Sequence, residues 1–259
     1  MPDSARVAMR GVLADIDDTL STEGRITAQA YAAMERLRSA GLLFIPITGR
    51  PAGWCDHIAR MWPADAVVGE NGALYMIYDE HAGRLRKCYV MTEAERAATR
   101  PRLAEIGQSI LREVPGAALA SDQPYRESDL AIDFCEDIPR LPDEAIDRIM
   151  ALMRAAGMTA KMSSIHVNGW FGEYDKLAMT RRLLREEFGI DLDAQRDRFV
   201  FIGDSPNDAP MFEHFPHAVG VANVRNFAGR LTSLPAYVTE RESGAGFAEF
   251  VQYLLVGQR

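Results

Sequence analysis

The strongest constraint on the fold is a rhythm: short apolar runs alternate with helical stretches at both ends of the chain and lose that order in the middle. Val7 to Ala14 is apolar, β-branched at Val7 and Val12, and stops at Asp15-Ile16-Asp17-Asp18, which predicts a buried strand with acids at its carboxyl end. From Thr27 to Ala40, Ala30, Met34 and Leu37 recur at helical spacing and Gly41 supplies a stop. Leu42 to Ile47 is a second apolar run, ending in Thr48-Gly49-Arg50; a helix over 51–61 and a strand at Ala66 to Val68 follow. The same rhythm returns with a helix over Lys176 to Phe188 and a strand over Phe199 to Ile202, which terminates in Gly203-Asp204-Ser205-Pro206-Asn207-Asp208. Short strands at 218–221 and 236–239 and a helix over 246–255 complete it. Continuous apolar strands separated by helices build a parallel sheet covered on both faces.

The middle reads differently. Asn71-Gly72 is a hairpin signal, with 73–78 and 85–91 as strand candidates, and a helix spans about 93–113. Leu130 to Phe134 predicts a strand. Asp143 is expected to cap a helix with Ile146, Ile149, Met150 and Met153 on one face, Gly157 stops it, and 159–170 reads as a further strand. The expected fold class is α/β: a doubly wound, Rossmann-like parallel-sheet core over 1–81 and 175–259, interrupted by an α+β domain over 82–174.

Composition narrows the partners. A formal net charge of −8 without a basic stripe argues against a nucleic-acid binder. Cys55, Cys88 and Cys135 are odd in number and lack C-x-x-C spacing, so neither a disulfide framework nor a zinc site is expected. The first ten residues lack the apolar segment of a signal peptide, and no run approaches the roughly 18 apolar residues of a membrane span. A cytoplasmic protein without nucleic-acid or membrane partners is the expectation, its oligomeric state unreadable.

In open α/β sheets ligands bind at the carboxyl ends of the strands. Asp15 and Asp17, Thr48, and Asp204 and Asp208 all stand at such ends, and Lys176 opens the helix where the chain re-enters the core. Carboxylates crowded there raise one another's pKa unless a cation neutralises them, and hard oxygen ligands suit Mg2+. Lys176 and Thr48 then supply charge and donors for phosphoryl oxygens. An EF-hand calcium loop is excluded, because the sixth position is Leu20 rather than Gly and the twelfth is Ile26 rather than Glu.

These residues resemble the signatures of the haloacid dehalogenase superfamily of phosphatases. Asp15-Ile16-Asp17-Asp18-Thr19 matches the first, Thr48 the second, Lys176 the third and Gly203 to Asp208 the fourth, in the family's order along nearly the whole chain. The insertion between the second and third is similar to the large α/β cap of the subclass that includes sucrose-phosphate, mannosylphosphoglycerate and trehalose-phosphate phosphatases. The resemblance implies a Mg2+-dependent phosphomonoesterase of a small phosphorylated metabolite, such as a sugar phosphate. Asp15 would be the nucleophile and Asp17 the acid/base, with Thr48 and Lys176 holding the phosphoryl group. Asp204 would bind the metal with Asp15 and the Asp17 carbonyl, while Asn207 and Asp208 orient ligands and waters.

Substrate contacts are expected from Thr48, Gly49, Arg50, Asn71 and Lys176. Arg50 has two readings, phosphate contact or helix-surface charge. His166 and Asn168 share one strand face, either solvated or gripping substrate from the cap. Asp18 stands where the family usually has Gly; Asp tolerates unusual backbone conformations, so the turn is expected to form, with one more negative charge near the metal. A phosphomutase with the same aspartyl-phosphate, or a non-catalytic metal- or phosphate-binding protein, are the alternatives.

Overall fold

The computed structural model describes residues 1–256, so the last three residues of the expected 175–259 core segment lie outside the described residues. Five parallel strands form the central sheet, in the order Tyr237–Val238, Val219–Gly220, Phe199–Gly203, Gly11–Ala14, Leu43–Pro46. Successive side chains on a strand point to opposite faces. Val12 and Ala14 accordingly enter one core with Phe44, Val200 and Ile202, under the helices Ala28–Ser39, Ala52–Met61 and Ser243–Leu255. Leu13 faces the other way and joins Ile45, Phe199 and Phe201 beneath Lys176–Phe188 and Ala209–His214. Both faces are covered, and the sheet is doubly wound as expected.

The first strand is shorter than its apolar run, because residues Asp3–Val7 form a short helix with Val7 exposed. A parallel bridge from Ile47 to Val68 extends the core into an antiparallel sheet of Val67–Gly69, Leu74–Asp79 and Arg84–Tyr89. The strand Arg84–Tyr89 falls in the expected insertion 82–174 but pairs along its whole length with Leu74–Asp79, on the core side.

A four-stranded antiparallel sheet, ordered Thr159–Met162, His166–Trp170, Asp129–Asp133, Ala118–Leu119, forms the cap. Leu130, Ile132 and Val167 pack on one face against Leu103 and Ile110 of the helix Glu93–Glu113 and against Ile146, Ile149 and Met153 of the helix Asp143–Ala155. The expected single strand over 159–170 is a hairpin instead: the Ser163 hydroxyl accepts from the amides of Ile165 (3.3 Å) and His166 (3.0 Å), which turns the chain. Asp143 is the first helical residue rather than the cap, a position Pro142 takes. The opposite face of the sheet carries Asp129, Asp133, His166, Asn168 and Trp170, all buried. Trp170 clusters with Tyr174 and with Ala73 of the core side, so this face is turned toward the core rather than solvent.

Candidate active site

The strand ends of the central sheet bring the acids together. Asp15 follows Gly11–Ala14, and its amide donates to the Ile202 carbonyl at 2.9 Å, locking it into the ladder. Lys176 is the first residue of its helix, whose N-cap Asp175 accepts from the Ala178 amide at 2.7 Å. That placement sends Nζ between two carboxylates, donating to Asp15 Oδ1 at 2.6 Å and Asp208 Oδ1 at 2.7 Å. Oxygens of Asp15, Asp204 and Asp208 all lie within 4.8 Å of one another, and all three residues are buried.

One ammonium among three carboxylates leaves an excess of negative charge, and the titration shifts report it. Burial, opposed by Lys176 and reinforced by Asp208 and Asp17, pushes Asp15 up to about 8. Burial, then repulsion from Asp15 and Asp208, holds Asp204 well above the usual carboxylate range. Burial alone would depress the Lys176 ammonium, but Asp15 and Asp208 raise it above its ordinary value. Such a set of hard oxygens, under-neutralised by protein, fits a divalent cation of the Mg2+ type. Asp204 is steered by Thr19 Oγ1 at 3.3 Å and by Asn223 Nδ2 at 3.3 Å. Asn223 also donates to the Asp18 carbonyl at 3.0 Å, tying the two acidic loops to each other. Sequence reasoning missed it: an Asn between Ala222 and Val224 carries no signature.

Asp208 spends its second oxygen on the amides of Asp204 (3.1 Å) and Ser205 (3.3 Å), so it shapes its own loop as well as holding Lys176. Asn207 donates to Asn71 Oδ1 at 3.2 Å and accepts from Ser205 Oγ at 2.8 Å. Asn71 sits at φ 54°, and its buried Nδ2 has no partner among the described residues, leaving a donor beside the acidic cluster's supporting loop. Gly49 makes room for it, since a Cβ there would meet that amide nitrogen at 3.1 Å. Thr48 Oγ1 accepts from the Arg50 amide at 2.9 Å, which leaves its own O–H free to donate. Gly72, at φ 105°, is forced by close approach: a Cβ would fall 2.0 Å from the Asp175 carbonyl oxygen, next to Lys176.

Asp17 lies outside the carboxylate cluster. Arg50 holds it, Nε at 2.9 Å from Oδ1 and Nη2 at 2.8 Å from the same oxygen. Arg50 is neither a surface charge nor free for a phosphate in this state. It is 3 % exposed, and its remaining donors reach the cap at Asp122 (3.3 Å) and Glu136 (2.5 Å) while Trp54 stacks beneath it. Burial works against the guanidinium charge, but Asp17 and Glu136 more than offset it and raise the Arg50 pKa. His166 Nε2 lies 2.8 Å from the other Glu136 oxygen. Burial would raise Glu136; His166 and Arg50 override it and hold the carboxyl at about 2.

Asn168 is likewise not solvated. Its amide donates to Asp129 Oδ2 at 2.9 Å, inside a buried network where Arg126 pairs with Asp129, Asp122 and the Gly49 carbonyl. Glu70 completes this seam, accepting from the core amide of Ala52 and from the cap amides of Glu127 and Ser128. Burial, then Asp129, pushes Glu70 up to about 7 despite Arg126 and those amides. Of the seam residues the sequence singled out, besides Asp17, only Arg50, His166 and Asn168. Glu136 had one legible signal, its place just past the strand Leu130–Phe134.

Residues 12–98 match the haloacid dehalogenase-like hydrolase family. A phosphoglycolate phosphatase of Methanospirillum hungatei is 27% identical over 255 residues, covering 94% of this chain and 96% of that protein. Over residues 12–98 the chain is similar to the haloacid dehalogenase-like hydrolases, and with its near full-length likeness to phosphatases this marks it as an enzyme. Its fold recurs in the trehalose-6-phosphate phosphatase C-terminal domain of C. albicans, with a TM-score of 0.71, 12% identity and coverage of 97% and 94%. It recurs also in the sucrose-phosphatase of Synechocystis, with a TM-score of 0.61, 15% identity and coverage of 95% and 98%. Among the described residues no helix is long and apolar enough to cross a membrane.

Proposed function

We propose that this hydrolase is a Mg2+-dependent phosphomonoesterase that cleaves a small phosphorylated metabolite, a sugar phosphate in the simplest case, through an aspartyl-phosphate. The observation that carries the reading is Lys176 Nζ held between Asp15 and Asp208 at 2.6 and 2.7 Å, at the end of the parallel sheet. Asp15 attacks phosphorus with its carboxylate; the P–O bond to the alcohol breaks as the Asp15 acyl phosphate forms. Asp17 gives its proton to the departing alkoxide, then takes one from the water that hydrolyses the acyl phosphate. Lys176 and the Thr48 hydroxyl hold the non-bridging oxygens, with the Asn71 amide as a third donor. Asp15, Asp204 and the Asp17 carbonyl would hold Mg2+, which supplies charge neutralisation for the phosphoryl oxygens and the carboxylate cluster. Asn207 and Asp208 act by orienting the loop that presents Asp204. Arg50 binds Asp17 and the cap in place, and the cap excludes water from the site.

Relatives named phosphoglycolate phosphatases along nearly the full length support release of inorganic phosphate rather than its return to the substrate. Replacing Asp15 with Asn removes the nucleophile and is expected to eliminate phosphate release from every ester; a chelator is expected to do the same, reversed by Mg2+. Near wild-type turnover by Asp15→Asn in a malachite-green assay would refute the mechanism.

A further inference from the structure

A cavity of about 320 Å³ lies between the loop after the first strand and the cap, and it opens beside Asp17. In the phosphomonoesterase reading Asp17 protonates the leaving oxygen, so this cavity is where the alcohol part of the ester sits. Its wall is anionic. Beside Asp17, which Arg50 pairs and which serves as the acid, Asp18 and Glu23 come from the core loop and Glu136 from the cap. Arg50 is the one cation among the described lining residues, and Asp17, Asp122 and Glu136 already occupy its guanidinium. The Glu136 carboxyl, held at about 2 by His166 and Arg50, is charged at any working pH.

Asp18 is the distinctive contributor. Its φ of 54° is a conformation that favours glycine, yet a carboxylate-bearing side chain stands there, half-buried at the cavity wall. The turn does not need that side chain. What the side chain adds is an acidic group where the leaving group goes; burial raises its pKa above the ordinary carboxylate value, opposed by a hydrogen bond with Ser164, so a further anion brought beside it is doubly disfavoured.

We propose that Asp18 and Glu136 select the leaving group, admitting an ester whose alcohol is uncharged and rich in hydroxyl donors and turning away one that carries a carboxylate. Hydroxyls of a polyol or sugar find acceptors at Asp18 and Glu136 and at the Ser164 hydroxyl, which also lines the cavity. A carboxylate there meets like charges with no free cation to receive it, and a half-desolvated wall amplifies that repulsion. This selection rests on the phosphomonoesterase reading and sharpens it: the chain departs in preference from the phosphoglycolate phosphatases it is similar to, whose named substrate bears a carboxylate.

The matched pair that tests it is glycerol 3-phosphate and 3-phosphoglycerate, which differ at one carbon by a hydroxymethyl or a carboxylate. With the full chain and Mg2+, kcat/KM for glycerol 3-phosphate is expected to exceed that for 3-phosphoglycerate about a hundredfold, and phosphoglycolate to be equally poor. Asp18→Asn keeps the shape and tolerates the positive φ; it is expected to shrink the ratio about tenfold, chiefly by lowering KM for the anionic ester. Asp18→Gly, which suits the turn still better, is expected to shrink it likewise. A wild-type enzyme that takes the carboxylate esters as well as the polyol ester overturns the selection, as does a ratio unchanged in both variants because the two esters lose rate in parallel. Release of phosphate from none of these esters, nor from an aryl phosphate, sinks the phosphomonoesterase reading itself.

Discussion

Lys176→Met tests whether the ammonium holds the carboxylate cluster together. Methionine is similar in length and flexible enough to fill the same channel, so the change removes charge with little change in volume. Lys176 is 3 % exposed and donates at 2.6 and 2.7 Å to two buried carboxylates. Removing one partner of a buried pair costs about 3–5 kcal/mol, because the other charge stays behind uncompensated. Here three carboxylates are left. With Asp15 already pushed up to about 8 beside the lysine, part of the penalty is relieved by proton uptake, which keeps the cost inside that range. At about 2–4 °C per kcal/mol for a chain of this size, the metal-free variant is expected to melt roughly 6–20 °C below wild type. Mg2+ at a hundred times its dissociation constant is expected to restore about 2.7 kcal/mol. Thermal melts followed by circular dichroism at neutral pH, with chelator and with Mg2+, read both numbers, and phosphate release reads the loss of activity. If charge is the cause, adding Asp15→Asn to Lys176→Met recovers stability, since it removes one of the repelling groups. A metal-free Lys176→Met that melts within about 2 °C of wild type would refute the reasoning, as would a double variant less stable than the single.

Two further outcomes follow from the same geometry. Gly72→Ala places a Cβ 2.0 Å from the Asp175 carbonyl oxygen at a φ of 105°, so the helix start carrying Lys176 must move. A loss of about 3 kcal/mol or more is expected, with a fall in kcat beyond what partial unfolding explains; an unchanged melting temperature would count against the close approach. Glu136, at about 2 in the folded chain against an ordinary 4.5, contributes stability that is present above pH 4.5 and lost as pH falls toward 2. Glu136→Gln is therefore expected to be less stable than wild type at neutral pH, by only about 1 kcal/mol because the site is half open to solvent, with the gap closing below about pH 3. A gap that widens in acid would show that its pairing with Arg50 and His166 is not what holds the carboxyl down.

The sequence alone carried the sheet and the polar side chains at its carboxyl edge, because both are local. An apolar run of four to six residues set between helical stretches fits a strand covered on both faces, as in a parallel sheet, and the residue that ends such a run stands at the ligand edge. Asp15, Thr48 and Asp204 were legible for that reason, and Lys176 because a helix start fixes the direction of its first side chain. Asp18 at positive φ was legible too, since few residues besides Gly, Asn and Asp accept it. The hairpin at Ser163 and the attachment of Arg84–Tyr89 to the core side were not, because pairing partners are chosen by the rest of the sheet rather than by the strand. Least legible was the seam between core and cap. Arg50, Glu136, Asp122 and Arg126 are separated by up to 86 residues, and each by itself reads as a solvated charge. Only the tertiary structure, by burying them against one another, turns these surface-like side chains into the clasp that holds Asp17 and the wall that faces the leaving group.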